Sequence, residues 1–134
     1  MINPISVSEK LLFTTVKIET TTNEGKGTGT GFFYNYKIDD QTQLPLVITN
    51  KHVVKDAVSG KFLLHEAKTV GDKVQPSGSF FPVTFDKFEQ RWFGHSDDEI
   101  DLCGMPINPL IEQFAQSGKE VFRLALDASI IKSD

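Results

Sequence analysis

Leu46-Val47-Ile48-Thr49-Asn50-Lys51-His52-Val53-Val54 is the stretch around which the chain is organised. Leu46 to Thr49 is an apolar, β-branched run that reads as a buried strand, ending at the turn-forming Asn50 and passing into a short apolar turn. His52 stands in that handover. Val53 and Val54 anchor the turn that follows, so the imidazole is carried on a rigid support. That suits a general base, which has to be in position before its pKa matters. The plain alternative is a histidine satisfied locally at a strand end.

Two further stretches frame this one: Gly29-Thr30-Gly31-Phe32-Phe33 before it and Asp101-Leu102-Cys103-Gly104-Met105-Pro106-Ile107 after it. Together with Thr49-Asn50-Lys51-His52-Val53-Val54 they resemble the trypsin-like serine peptidases, particularly bacterial ones without a secretion signal. The resemblance implies that His52 is the general base and Asp101 the carboxylate that orients it. It implies a nucleophile in a Gly-x-Ser-Gly turn of a second β-barrel, which a chain ending at Asp134 does not reach. On this reading the chain is the N-terminal barrel of a serine endopeptidase and is inactive alone. It would meet peptide or protein substrates through the full-length enzyme, with the missing C-terminal barrel as its partner.

The chemistry of the pair stands apart from the family. A serine hydroxyl is a weak nucleophile and needs a base within hydrogen-bond reach. That base needs an acceptor on its other nitrogen to fix the tautomer and stabilise the imidazolium. Asp97, Asp98 and Glu99 lie in a polar loop, whereas Asp101 falls between Ile100 and Leu102 and is expected to be embedded at the start of a strand. The other reading of Asp101 is a carboxylate capping nearby backbone N–H groups.

Ser59, Ser77 and Ser117 each precede a glycine, but Ala57, Gln75 and Ala115 stand two positions earlier, where the family turn has glycine. They read as loop or helix-end residues. Cys103, two residues after Asp101 on the same expected strand, reads as a small buried hydrophobe rather than a thiol nucleophile. His65-Glu66 begins like a His-Glu-x-x-His zinc motif, but Thr69 occupies the second histidine position. No metal and no cofactor is expected. His65 and His95 read as surface or loop residues, with a secondary electrostatic role near Asp101 as the alternative for His95.

A chain of 134 residues, 39% hydrophobic and 24% charged, suits one domain spanning 1–134. Eleven Phe residues among many Thr and Val favour strands. A net charge of -4 without a basic stripe argues against nucleic acid. One cysteine excludes an internal disulfide. Neither a signal peptide nor a run of roughly 20 apolar residues is present, so no membrane is expected and a cytoplasmic protein is. Gly27 and Gly29 would need a third glycine at 32 to make a dinucleotide fingerprint, and Phe32 stands there.

In chain order, Met1 to Lys10 reads as an arm or short helical turn. Strands are expected over Phe13–Thr20, Gly27–Tyr36, Leu44–Thr49, Lys61–Glu66, Phe80–Phe85 and Ile100–Ile107, with Lys68–Ser79 as a polar connection and Arg91-Trp92-Phe93 as an edge piece or loop anchor. The alternate glycines 27, 29 and 31 allow close backbone approach or sharp coiling. Asn108 suits an N-cap, Pro109 the first helical position and Gly118 the C-terminal cap of a short helix. Leu110, Ile111 and Phe114 of that helix would face the core. Phe122, Leu124 and Leu126 then alternate as a last strand before Ile130-Ile131.

The expected fold is all-β: a six-stranded antiparallel Greek-key barrel, one half of a trypsin-like double barrel, with a short helix near the C-terminus. The competing functional reading is a non-catalytic peptide-binding or assembly module on the same barrel. A barrel lacking its second half exposes the face that would meet it, and with the apolar C-terminal segment this predicts a homo-oligomer.

Overall fold

Alternation of buried and exposed residues builds the first strands of the computed structural model, which describes residues 14–123. In β1 (Thr15–Thr22), Val16, Ile18 and Thr20 point inward. β2 (Gly25–Asp39) and β3 (Thr42–Thr49) follow as an antiparallel meander, in register from Thr15 opposite Phe32 to Tyr36 opposite Leu44. A four-residue helix α1 (Lys51–Val54) leads to β4 (Ser59–Val70), which returns beside β1 with Phe62 opposite Ile18. β5 (Lys73–Asp86) pairs along β4. A 3₁₀ turn (Glu89–Arg91) precedes β6 (Phe93–Gly94), β7 (Cys103–Pro106), helix α2 (Asn108–Gln116) and β8 (Val121–Phe122).

The strands hydrogen-bond in the order β5-β4-β1-β2-β3-β7-β6, every neighbouring pair antiparallel. β8 joins β4 at His65 and Glu66, beyond the stretch that β1 occupies. The run β4-β1-β2-β3 is a Greek key: three hairpin-connected strands with the fourth returning beside the first. The sheet curls until its two ends approach. Phe85 of β5 and Met105 and Pro106 of β7 line one cavity of about 420 Å³, together with Pro109 and Leu110 of α2. The path stays open there, since among the described residues no ladder joins β5 to β6 or β7.

Ile18, Val47, Phe62, Leu64 and Phe88 are the most deeply buried large side chains. Phe62 meets Phe85, Phe88 and Trp92 edge-on at centroid distances of 5.0, 5.9 and 6.2 Å, a favoured aromatic geometry. Trp92 thus serves as the loop anchor of its stretch. From α2, Leu110, Ile111 and Phe114 pack against this core, and Phe114 stacks on Phe81 at 4.8 Å. The helix is capped by Ile107 rather than Asn108, and Gly118 takes a φ of +75° just past its end.

Several expectations change: β2 to β5 run beyond their expected bounds, and among the described residues the sheet is not closed into the expected six-stranded barrel. Lys68–Ser79 is not a connection but the outer part of the β4–β5 hairpin, which turns at Gly71 with φ +65°. Polar residues lie on both sides of that ribbon and its valines, Val70 and Val74, are exposed, so no apolar period marks it. The expected strand Ile100–Ile107 shortens to Cys103–Pro106, leaving Asp101 in the preceding loop. β1 begins at Thr15 and extends to Thr22. Eight strands are described rather than six. The expectations for Met1–Lys10, Phe13, Leu124, Leu126 and Ile130-Ile131 lie outside the described residues.

One face of the sheet is apolar on the outside. Phe32, Ile48, Gly104 and Phe93 follow one another across β2, β3, β7 and β6 as cross-strand partners, and such partners share a face. Phe93 is 73% exposed. With Leu44, Leu46 and Leu102, these β3, β7 and β6 positions form a shallow trough of about 390 Å³. Among the described residues no helix is long and apolar enough to cross a membrane.

Candidate active site

The site grows out of the β3–β7 pairing. The ladder runs from Leu46 opposite Pro106 to Thr49 opposite Cys103, and continuing that register brings residue 51 opposite residue 101. The Lys51 N–H donates to the Asp101 carbonyl at 3.2 Å, and Asn50 Nδ2 donates to the same oxygen at 3.0 Å. Thr49 is buried and its hydroxyl donates to the Thr30 carbonyl at 2.8 Å, tying the end of β3 to β2. On the far side of His52, Val54 is buried and Val53 lies against Gly29, where a Cβ would come 2.5 Å from Val53 Cγ1. The close approach expected of the alternate glycines is therefore what seats α1.

The Asp101 carboxylate meets His52 twice. Oδ1 accepts the His52 backbone N–H at 3.1 Å, and Oδ2 lies 2.5 Å from His52 Nδ1. The hydrogen bond from the imidazole is the main cause that holds the Asp101 carboxyl below its ordinary pKa of 3.8, and the backbone N–H adds to it. An ionised carboxylate only accepts hydrogen bonds, so the shared proton belongs to Nδ1, and in the neutral ring Nε2 then keeps its lone pair. The His52 side chain is 72% exposed and that of Asp101 47%, so the pair lies at the surface. An imidazole so held can take a proton from a hydroxyl and be stabilised as imidazolium by the carboxylate behind it.

Sequence reasoning paired these two residues, and they are in contact. It misplaced the reason. Ile100 and Leu102 are exposed and do not embed Asp101. Hydrogen bonds from residues 50–52 hold it instead, including the backbone-capping contact that had been set out as the alternative role. The sequence marks Asn50 only as a turn former and does not single out Lys51. The signal for both was the strand register, which places them opposite the acid.

The remaining candidates fall elsewhere. Ser77 donates to Glu66 Oε1 at 3.2 Å beside a bulge in the β4–β5 ladder. Ser59 opens β4, and Ser117 caps α2. No hydroxyl among the described residues hydrogen-bonds His52 Nε2. Cys103 is 5% exposed, and burial, helped by the Asp101 charge, pushes its thiol up to about 11, far from a thiolate nucleophile. His65 is no loop residue: it sits half-buried on β4 with its ring 4.8 Å from that of Phe80, and burial lowers its pKa. His95 does lie in the loop, where its Nδ1 accepts the Asp97 N–H at 3.0 Å. Among the described residues no three His, Cys, Asp or Glu side chains gather as a metal site. Compared with family models, with curated proteins and with solved structures, the chain matches none.

Proposed function

We propose that this chain is the base-bearing half of a trypsin-like serine endopeptidase, its curled sheet serving as the Greek-key barrel that comes first in such a catalytic domain. The observation that carries the reading is the 2.5 Å contact between His52 Nδ1 and Asp101 Oδ2, on an imidazole side chain that is 72% exposed. The Greek-key order and the approach of the sheet's two ends across α2 support the barrel.

In this reading a second barrel brings a serine hydroxyl, in a Gly-x-Ser-Gly turn, to Nε2, together with the oxyanion hole and the specificity pocket. His52 Nε2 takes the serine proton as the oxygen attacks the peptide carbonyl. Asp101 steadies the imidazolium. The proton then passes from Nε2 to the leaving amine, and a water molecule repeats the sequence to release the acyl group. Residues 1–134 contribute base and orienting acid and have no turnover of their own.

A second reading, a non-catalytic peptide-binding or assembly module, draws on the apolar outer trough. A fluorophosphonate probe applied to the natural gene product separates the two. The peptidase reading expects one labelled serine outside residues 1–134, with the label lost in His52→Ala while near-ultraviolet circular dichroism is unchanged. A product that takes no label, or one labelled equally in His52→Ala, overturns it.

A further inference from the structure

Lys51 touches both ends of the segment that carries the acid. Its amide donates to the Asp101 carbonyl at 3.2 Å. Its ammonium donates to the carbonyls of His95 at 3.1 Å and Asp97 at 3.3 Å. The aliphatic stem runs over Gly94, where a Cβ would come 3.2 Å from Lys51 Cε. One side chain thus bridges α1 to the far end of the loop.

Asn50 and His52 hold the Asp101 end of that loop as well, but the stretch before it has little besides Lys51. Residues 95–102 are all exposed, and none belongs to the buried core. Apart from the Lys51 bonds and those at Asp101, the hydrogen bonds of the segment are internal: the Asp97 N–H to His95 Nδ1, the Glu99 N–H to Asp97 Oδ1, the Ile100 N–H to Asp97 O and the His95 N–H to Leu102 O. Asp97, Asp98, Glu99 and Asp101 place four carboxylates within five positions, and like charges so close repel. Among the described residues the Lys51 ammonium is the one cation hydrogen-bonded to the segment. An ammonium has three donors, and two of them are used on carbonyls that otherwise add to the negative potential.

We infer that Lys51 is a positioning residue: its side chain clamps the acidic segment 95–101 against α1 and so keeps the Asp101 carboxylate on His52 Nδ1. Its relevance to catalysis rests on the peptidase reading; its geometry does not. A supporting group of this kind determines whether a base is held in one orientation or samples several.

Nuclear magnetic resonance of the chain tests this directly, through the ring nitrogens of His52 and the hydrogen-bonded Nδ1 proton. The wild type is expected to show a protonated Nδ1 with a slowly exchanging proton. Lys51→Met keeps the stem and the amide but removes the ammonium, and is expected to abolish that signal through exchange and to mix the two tautomers. Lys51→Arg should restore the signal. Lys55→Met removes a nearby charge that makes no clamp and should leave the signal as in the wild type, which separates clamping from net charge. Amide shifts of Phe62 and Val54 report whether the fold is intact. A wild-type Nδ1 signal in Lys51→Met, or its loss in Lys55→Met as well, overturns the role of Lys51 alone. No Nδ1 signal in the wild type overturns the base–acid pair, and the role of Lys51 with it.

Discussion

Lys51 lies opposite Asp101, two residues past the last ladder pair of β3 and β7, and the amide of the one reaches the carbonyl of the other at 3.2 Å. The base and its acid are 49 residues apart in sequence. What joins them is backbone pairing between two short strands, continued as hydrogen bonds into α1. The geometry of an exposed pair is thereby inherited from a buried ladder.

Replacing Asp101 by Asn tests the tautomer. An amide can donate to Nδ1, which would move the ring proton to Nε2 and leave no acceptor there. In a complete peptidase the expected loss in kcat is about 10⁴-fold, by the logic of a Ser-His-Asp triad. In the chain itself, ring nitrogen shifts of His52 should change from protonated Nδ1 to protonated Nε2. An unchanged tautomer would remove Asp101 from its orienting role.

Acid should loosen the site from a definite direction. The folded Asp101 carboxyl is held below 3.8 by its bond from His52. A depressed value means that the contribution to stability is present above the ordinary carboxylate pKa and is lost as pH falls through the folded one. Protection of the Lys51 and His52 amides, taken relative to the intrinsic exchange rate at each pH, should therefore fall below pH 3.8. In Asp101→Asn that protection should already be low at neutral pH and should not change across that range.

Gly29→Ala should disturb His52 from the opposite side. The new Cβ would collide with Val53, and overpacking of this kind costs about 1–3 kcal/mol. Adding Val53→Ala should recover part of that cost, a positive coupling read in a double-mutant cycle by urea unfolding. Simple additivity would mean that Val53 does not rest on Gly29 in solution.

Cys103 should be silent toward thiol reagents near neutral pH and react fully in denaturant. Burial raises its pKa from 9.0 to about 11. A raised folded value gives a contribution fully present below pH 9 and lost as pH rises through 11. The urea midpoint of the wild type should accordingly fall more steeply between those values than that of Cys103→Ala. Parallel curves would show that the thiol is not desolvated.

Sequence exposes those elements that have one wet and one dry face. β1 is legible because Val16 and Ile18 alternate with exposed or half-buried neighbours, and β3 because Leu46 to Thr49 is a continuous apolar, β-branched run. The outer β4–β5 hairpin was not, because both of its faces carry polar residues around Gly71. Asp101 followed by Leu102 and Cys103 looked like the start of a strand, yet Leu102 is exposed and the ladder begins one residue later. His52 and Asp101 were found as residue types suited to one chemistry. Asn50 and Lys51 were not, because they act through strand register and main-chain carbonyls, which leave no mark in residue type.

The apolar outer face also alters how unfolding of this protein has to be monitored. Dyes that brighten on apolar surface are commonly read as signs of a molten state with lost side-chain packing. Here Phe93, Phe32 and Leu102 present such surface on the intact sheet. Dye fluorescence should therefore be appreciable before any packing is lost, and a rise in it is no measure of melting. Trp92 supplies the sound signal. It is the single tryptophan, buried and set edge-on against Phe62 and Phe88. Its near-ultraviolet dichroism should vanish when, and only when, the aromatic core comes apart.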